Sequence, residues 1–165
     1  MLGIQGKTAL VTAAAGGIGQ AIAWALAEAG ADIAAHNRDI TANVSSLVTK
    51  IERLGRRAVA ISGDVRDQTA VGAFVAQAIG VLRWIDILVN NAGIMTEIPL
   101  LHLTLEDWSD TLDINLIGYF LWLREVARYM VSRRTGSIVN IASQLTYRGG
   151  SGLAHSAPQR LACWD

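Results

Sequence analysis

Residues 7–19 read KTALVTAAAGGIG. The first half, KTALVT (7–12), is a short apolar and β-branched run of the length expected for a strand. The second half, VTAAAGGIG (11–19), loses nearly all its side chains and then opens a helical pattern in which Ile18, Ile22, Ala25, Leu26 and Ala29 share one stripe. At such a strand-turn-helix junction a bare backbone lets a pyrophosphate approach, and the N–H groups at the helix start favour its negative charge. Gly17 and Gly19 suit that role, with Ile18 expected to pack beneath them. A glycine pair in a chain with 16 glycines is unspecific; its place between a strand and a helix is what gives it meaning.

Outward from that turn the same unit repeats. Strand-like runs recur as ADIAAH (31–36), RAVAIS (57–62), DILVNN (86–91) and GSIVNIAS (136–143), separated by helical patterns such as Val71, Phe74, Val75, Ala78 and Ile79. Gly30 and Gly55 stand where helices would stop, and Asp67 and Thr104 where helices would start. Asn115 and Gly118 interrupt a long helical stretch, so one helix is expected to about Asp113 and a second after it. The second carries two apolar sides: Leu116, Phe120, Leu123, Ala127 and Met130, and opposite them Trp122, Val126 and Tyr129. One would face the sheet; the other would be deeply buried too or would face a second copy of the chain. Alternating β and α elements, with strands apolar on both faces, predict an α/β fold: a Rossmann-like, doubly wound parallel sheet in a single domain over residues 1–165.

Composition narrows the partner. Fourteen basic and fourteen acidic residues cancel and are scattered, which leaves no electrostatic footprint for nucleic acid or an anionic membrane. No stretch has the roughly 18 apolar residues of a membrane span, and the first residues lack a signal-peptide pattern, so a cytoplasmic location is expected. The hydrophobic share is 52% against 17% charged, an apolar surplus for a soluble domain. Cys163 is the single cysteine, and His36, His102 and His155, each expected at the surface or in a loop, are far apart in sequence, so no metal site is expected. A small molecule or another copy remains.

On these residues the sequence resembles the short-chain dehydrogenase/reductase family, whose phosphate loop reads T-G-x-x-x-G-x-G. Thr12, Gly17 and Gly19 match it, and Ala13 stands at the first glycine, where a methyl group is expected to tighten the turn without abolishing binding. Asp64 and Val65 resemble the family's adenine-contacting pair, and NNAG (90–93) is similar to its signature after the fourth strand. The resemblance, which spans most of residues 7–155, implies cofactor binding by Thr12, Gly17, Ile18, Gly19, Asn37, Arg38, Asp64, Val65, Asn91, Ala92 and Gly93. It implies a catalytic Asn115 and a Ser143 that holds the substrate oxygen. The implied reaction is hydride transfer between a nicotinamide cofactor and a small alcohol or carbonyl compound, in a full-length form that is a homo-oligomer. An acid at the end of the second strand would suit NAD and an arginine NADP; here Asn37 and Arg38 favour NADP, with Asp39 keeping NAD open.

The same resemblance exposes a gap. The family's proton comes from a tyrosine about thirteen residues beyond the serine, tuned by a lysine about one helical turn later. Those positions hold Ser156 and Arg160, and neither has the chemistry: a serine hydroxyl is too weak an acid, and arginine stays charged and binds differently from lysine. Tyr119, Tyr129 and Tyr147 have no lysine to pair with, since the only lysines are Lys7 and Lys50. A single deleted base turns codons for Y-S-A-A-K-A-G-L-L-G into SAPQRLACWD, residues 156–165. The expectation is therefore a slipped reading frame over 156–165 and a chain that lacks the family's last strands and helices. The alternative function is a non-catalytic dinucleotide-binding module or an inactive fragment. A methyltransferase on the same sheet is disfavoured by NNAG and by Asn37.

Overall fold

The computed structural model describes residues 3–155, so Ser156 and Arg160 lie outside the described residues. The chain alternates β1 (Thr8–Val11), α1 (Gly17–Glu28), β2 (Asp32–Asn37), α2 (Ala42–Arg53), β3 (Ala58–Ser62), α3 (Val71–Leu82) and β4 (Ile87–Asn90). A 3-10 turn (Leu100–His102), α4 (Leu105–Leu112), a π-helical turn (Asp113–Ile117), α5 (Gly118–Arg133), β5 (Ser137–Asn140) and a short α6 (Leu145–Arg148) follow. The strands coincide with the five runs expected, with shifts only at their ends. They form one parallel sheet in the order β3-β2-β1-β4-β5. After β3 the chain returns past β1 to build the other half, so the strand order reverses between β1 and β4, where an open α/β sheet leaves a crevice.

Alternation along the strands divides the core in two. Leu10, Ala34, Ile61 and Leu88 point to the side covered by α3 and α5, where they meet Val71, Val75, Leu82, Trp122 and Val126. Ala9, Val11, Ile33, Ala35 and Val89 point to the side covered by α1 and α2, against Ala23, Ala27, Val44, Leu47 and Ile51. Both faces of the central strands are thereby dry, as the doubly apolar runs require.

Helix α1 corrects the expected stripe. Its buried face is Gly19, Ala23 and Ala27, while Ile18 is 65% exposed. Small residues at four-residue spacing let the helix lie close to β1 and β2; Ile22 and Leu26 fill the flanks. Gly30 and Gly55 do follow α1 and α2, with φ of +100° and +75°. Thr104 caps α4 in a capping box with Asp107. Asp67 accepts from the Thr69 and Ala70 amides just ahead of α3. On α5 the buried residues are Tyr119, Leu121, Trp122, Val126 and Met130, whereas Phe120 is 51% exposed under the Arg124 guanidinium. The histidine expectation fails at His36, which lies on the central strand β2, buried and packed 4.5 Å from the Trp122 ring; His155 lies in a turn, as expected, though it is buried.

Candidate functional site

The turn after β1 is fixed from both neighbouring strands. Ala14 donates to the His36 carbonyl of β2 at 2.8 Å. On the β4 side the Thr12 hydroxyl accepts from the Asn91 and Ala92 amides, each at 2.9 Å, and Asn91 Nδ2 donates to the Thr12 carbonyl at 3.0 Å. A Cβ on Gly19 would collide with the Ala13 carbonyl and Asn91 Nδ2, so glycine here is demanded by packing between turn and helix. A Cβ on Gly17 would meet nothing within 4 Å. The two glycines therefore differ in kind: one closes the turn, the other leaves room beside the exposed helix start.

NNAG is legible residue by residue. Asn90 Nδ2 reaches Asn140 Oδ1 of β5 at 3.0 Å, and Asn91 reaches the β1 turn. Ala92 is buried, and Gly93 is exposed. The loop that follows is held by Asn115, which lies in the π-helical turn and is 1% exposed. Its Oδ1 accepts from the Ile94 amide at 2.8 Å and its Nδ2 donates to the Ile94 carbonyl at 2.9 Å. The Asn115 side chain is thus engaged with backbone.

Between these loops, at the strand-order reversal, lies a crevice of about 400 Å³. Six of the residues expected to bind cofactor line it: Asn37, Arg38, Asp64, Val65, Ala92 and Gly93. Ala13, His36, Asp39, Thr41, Arg66, Ile94 and Ile114 complete the wall. Thr12, Gly19, Asn91 and Asn115 stand behind it as fasteners, whereas Gly17 and Ile18 flank the turn, exposed at the start of α1. Ser143, half-buried after β5, is outside the crevice lining; its Oγ accepts from the Leu145 amide at 3.3 Å.

The crevice carries both signs of charge. Arg38 and Asp39 pair at 3.3 Å with both side chains largely exposed, and Asn37 Nδ2 donates to the Asp39 carbonyl. The Arg66 side chain, hydrogen-bonded to Asp64, holds the Asp64 carboxyl below its ordinary range, with a smaller contribution from Arg38. His36 lies under the crevice with Nε2 3.0 Å from the Gly63 carbonyl, and burial lowers its pKa to about 4, so it is neutral at pH 7. Sequence reading assigned no site role to His36 or Arg66, and it singled out Asn90 only as part of NNAG. Arg66 had one signal, its place directly after Asp64-Val65. Among the described residues no group of three or more His, Cys, Asp or Glu is placed to hold a metal ion, and no helix is long and apolar enough to cross a membrane.

The family model for short chain dehydrogenase matches residues 7–157. The 2-dehydro-3-deoxy-D-gluconate 5-dehydrogenase of Pseudoalteromonas atlantica is 38% identical over 147 residues, which are 89% of this chain and 58% of that protein. The 2,3-dihydro-2,3-dihydroxybenzoate dehydrogenase of Bacillus subtilis is 40% identical over 141 residues, 86% of this chain and 54% of that protein. A crystal structure of NAD+-bound xylitol dehydrogenase superposes with a TM-score of 0.92 at 32% identity, covering 97% of this chain and 62% of the other. The chain thus spans little more than half the length of these curated relatives.

Proposed function

From the premise that this chain belongs to the short-chain dehydrogenase family, we propose that it binds a nicotinamide dinucleotide in the crevice between β1 and β4 and derives from an oxidoreductase of alcohols and carbonyls. The observation that carries the reading is the convergence of Asn37, Arg38, Asp64, Val65, Ala92 and Gly93 on one opening at the strand-order reversal. The residues fit the group: Gly17 offers open space where a phosphate needs it, and the first amides of α1 face that space without an acidic side chain in the first turn. Thr12, Gly19 and Asn91 act by holding the turn. When bound, the cofactor would supply or accept the hydride.

For cofactor choice we favour NADP. Arg38 is exposed at the mouth of the crevice beside Thr41, whose hydroxyl makes no cap bond to α2, and Asn37 brings no charge against a 2′-phosphate. Asp39 opposes this by pairing with Arg38, so the discrimination should be modest. The substrate side rests on Ser143, whose hydroxyl would hold the substrate oxygen, and on Asn115, which keeps the loop at Ile94 in place. A cytoplasmic homo-oligomer completes the reading, supported by the exposed apolar residues Phe120 and Val131 on the outer side of α5.

The second reading, a binding module without turnover, is favoured by one specific feature: Ser156 and Arg160 stand where the family places tyrosine and lysine. Without an acid tuned to working pH, proton delivery to the alkoxide is missing, a step worth typically ~10²–10⁴-fold in rate. We infer that the 165-residue chain binds cofactor and does not turn over. Calorimetric titration with NADPH and NADH tests binding; absence of heat with both rejects the reading. Turnover of a carbonyl panel by the chain itself rejects the inactivity. A Ser156→Tyr, Arg160→Lys double variant that gains reductase activity supports the enzyme ancestry.

A further inference from the structure

The Arg66 guanidinium is the most tightly held cation in the wall of the crevice. Its Nε lies 3.0 and 3.1 Å from the two Asp64 carboxylate oxygens, its Nη2 lies 2.7 Å from Asp64 Oδ2, and its Nη1 donates to Asp110 Oδ1 at 3.0 Å. The Arg66 backbone amide also donates to Asp64 Oδ1 at 2.9 Å, which closes a tight local ring. Asp64 follows β3 and Asp110, 44 residues beyond Arg66, belongs to α4, so the planar group is fixed along two edges from two separate elements. The edges are occupied; the faces are not used by any of these bonds. A guanidinium restrained in this way has lost its rotamer freedom before a ligand arrives, and its flat face is a surface for a flat ring.

We propose that Arg66 is the nucleobase platform of the crevice: the adenine of the bound dinucleotide lies against its guanidinium plane, and Asp64 and Asp110 are the fasteners that hold that plane still. The proposal rests on the dinucleotide reading given above and adds to it the residue that selects for a planar base. A lysine cannot replace it, because an ammonium is a point charge without a plane and cannot grip Asp64 by a two-toothed contact. The exposed Arg66–Asp110 pair contributes little energy by itself, its side chains being 36% and 59% accessible; its part is orientation.

The test compares NAD with its fluorescent 1,N6-etheno analogue, whose modified ring blocks the hydrogen-bonding edge of adenine and enlarges its plane. Anisotropy titrations and calorimetry are run on the wild-type chain and on Arg66→Ala, Arg66→Lys and Asp110→Asn, with thermal melts as a folding check. Wild type is expected to bind both ligands. Arg66→Ala is expected to weaken both about tenfold, as loss of a desolvated cation–π contact does. Arg66→Lys should recover less than half of that loss, and Asp110→Asn should weaken binding about twofold with unchanged melting. Wild type binding NAD but not the etheno analogue overturns the platform and leaves the dinucleotide reading standing, because edge recognition then dominates. Full recovery by lysine, or an Arg66→Ala chain that binds the analogue like wild type, also overturns it. A wild-type chain that binds neither ligand overturns the underlying reading and the platform with it.

Discussion

β1 and β5 are both four-residue parallel strands, TALV and SIVN, and they end at opposite fates. β1 lies at the middle of the sheet and is buried at every position; β5 is an outer strand of the described sheet and alternates between exposed and half-buried, with Val139 45% exposed. The turns that follow differ in the same sense. After β1, Thr12, Ala14 and Asn91 lock the backbone to β2 and β4; after β5, Ile141 is tied to Asn90 and to the Tyr119 hydroxyl, and two residues on, among the described residues, the Ser143 hydroxyl accepts a local bond from Leu145. The turn proposed to hold the phosphates is therefore built in advance, whereas the ties to neighbouring elements thin out by Ser143, on the proposed substrate side. Perturbation should be severe around β1 and mild around β5.

The harshest way to break that contrast is Gly19→Val against Val139→Thr. At Gly19 the colliding partners include a backbone carbonyl, which cannot rotate away, so a loss of about 3 kcal/mol is expected, the upper end of overpacking costs. Cofactor affinity should fall with it. Val139→Thr sits on an exposed face and should stay within about 0.5 kcal/mol. Denaturant melts of the two variants measure both; equal losses would mean the two regions are alike. Gly17→Ala sharpens the point, since its added methyl meets no protein atom: melting should hold while affinity drops.

Acid supplies the next largest effect. His36 is buried with its pKa lowered from 6.5 to about 4 by desolvation, so between those values the unfolded chain binds a proton that the folded chain refuses. Stability is complete above about pH 6.5, declines as pH falls, and the loss saturates near pH 4. At ~1.4 kcal/mol per unit, melts at pH 4.5 should show a loss of about 2–3 kcal/mol that is absent in His36→Gln. A wild-type chain as stable at pH 4.5 as at pH 7 would contradict the burial of this ring beneath the crevice.

Asn115→Ala comes third. It strips both partners from the Ile94 backbone, which is only partly shielded, so about 1–2 kcal/mol is expected, together with weaker cofactor binding through a loosened loop. Ser143→Ala, which removes one 3.3 Å bond, should melt like wild type. Matching losses in the two variants would erase the distinction between a pinned and an open end.

What the sequence disclosed follows the same division. The β1 turn and NNAG were legible because their demands restrict residue type locally: glycine where helix and turn meet closely, asparagine where a side chain must reach the backbone of the neighbouring turn or the side chain of an asparagine on the neighbouring strand. The break at Asn115 and Gly118 was legible as a helix interruption, and it is realised as a π-helical turn. Ile18 was misplaced because apolar size is a poor guide where a helix approaches a sheet closely; the small residues Gly19, Ala23 and Ala27 make that contact. His36 and Arg66 were hidden because their states depend on residues distant in sequence, Trp122 for the one and Asp110 for the other. Nothing local distinguishes a buried histidine on a strand from an exposed one.

The smallest expected effect is also the most diagnostic of the turn itself. Ala13, which stands at the first glycine of the phosphate-loop pattern that the sequence resembles, has φ of +51°, in the left-handed region. A Cβ there costs roughly 1–2 kcal/mol relative to glycine, offset in part by the ~0.5–1 kcal/mol that glycine loses in backbone entropy on folding. Ala13→Gly should therefore raise stability by about 0.5–1 kcal/mol. Arg134 provides the control, since it ends α5 with φ of +53° far from the crevice lining. Arg134→Gly should stabilise to a similar extent, because the strain is the same. Only Ala13→Gly should also alter cofactor affinity, because only Ala13 lines the crevice. Melting curves and calorimetric titrations on the pair separate backbone relief from site chemistry, and a stability gain at Arg134 without one at Ala13 would show that the turn after β1 tolerates its methyl group without strain.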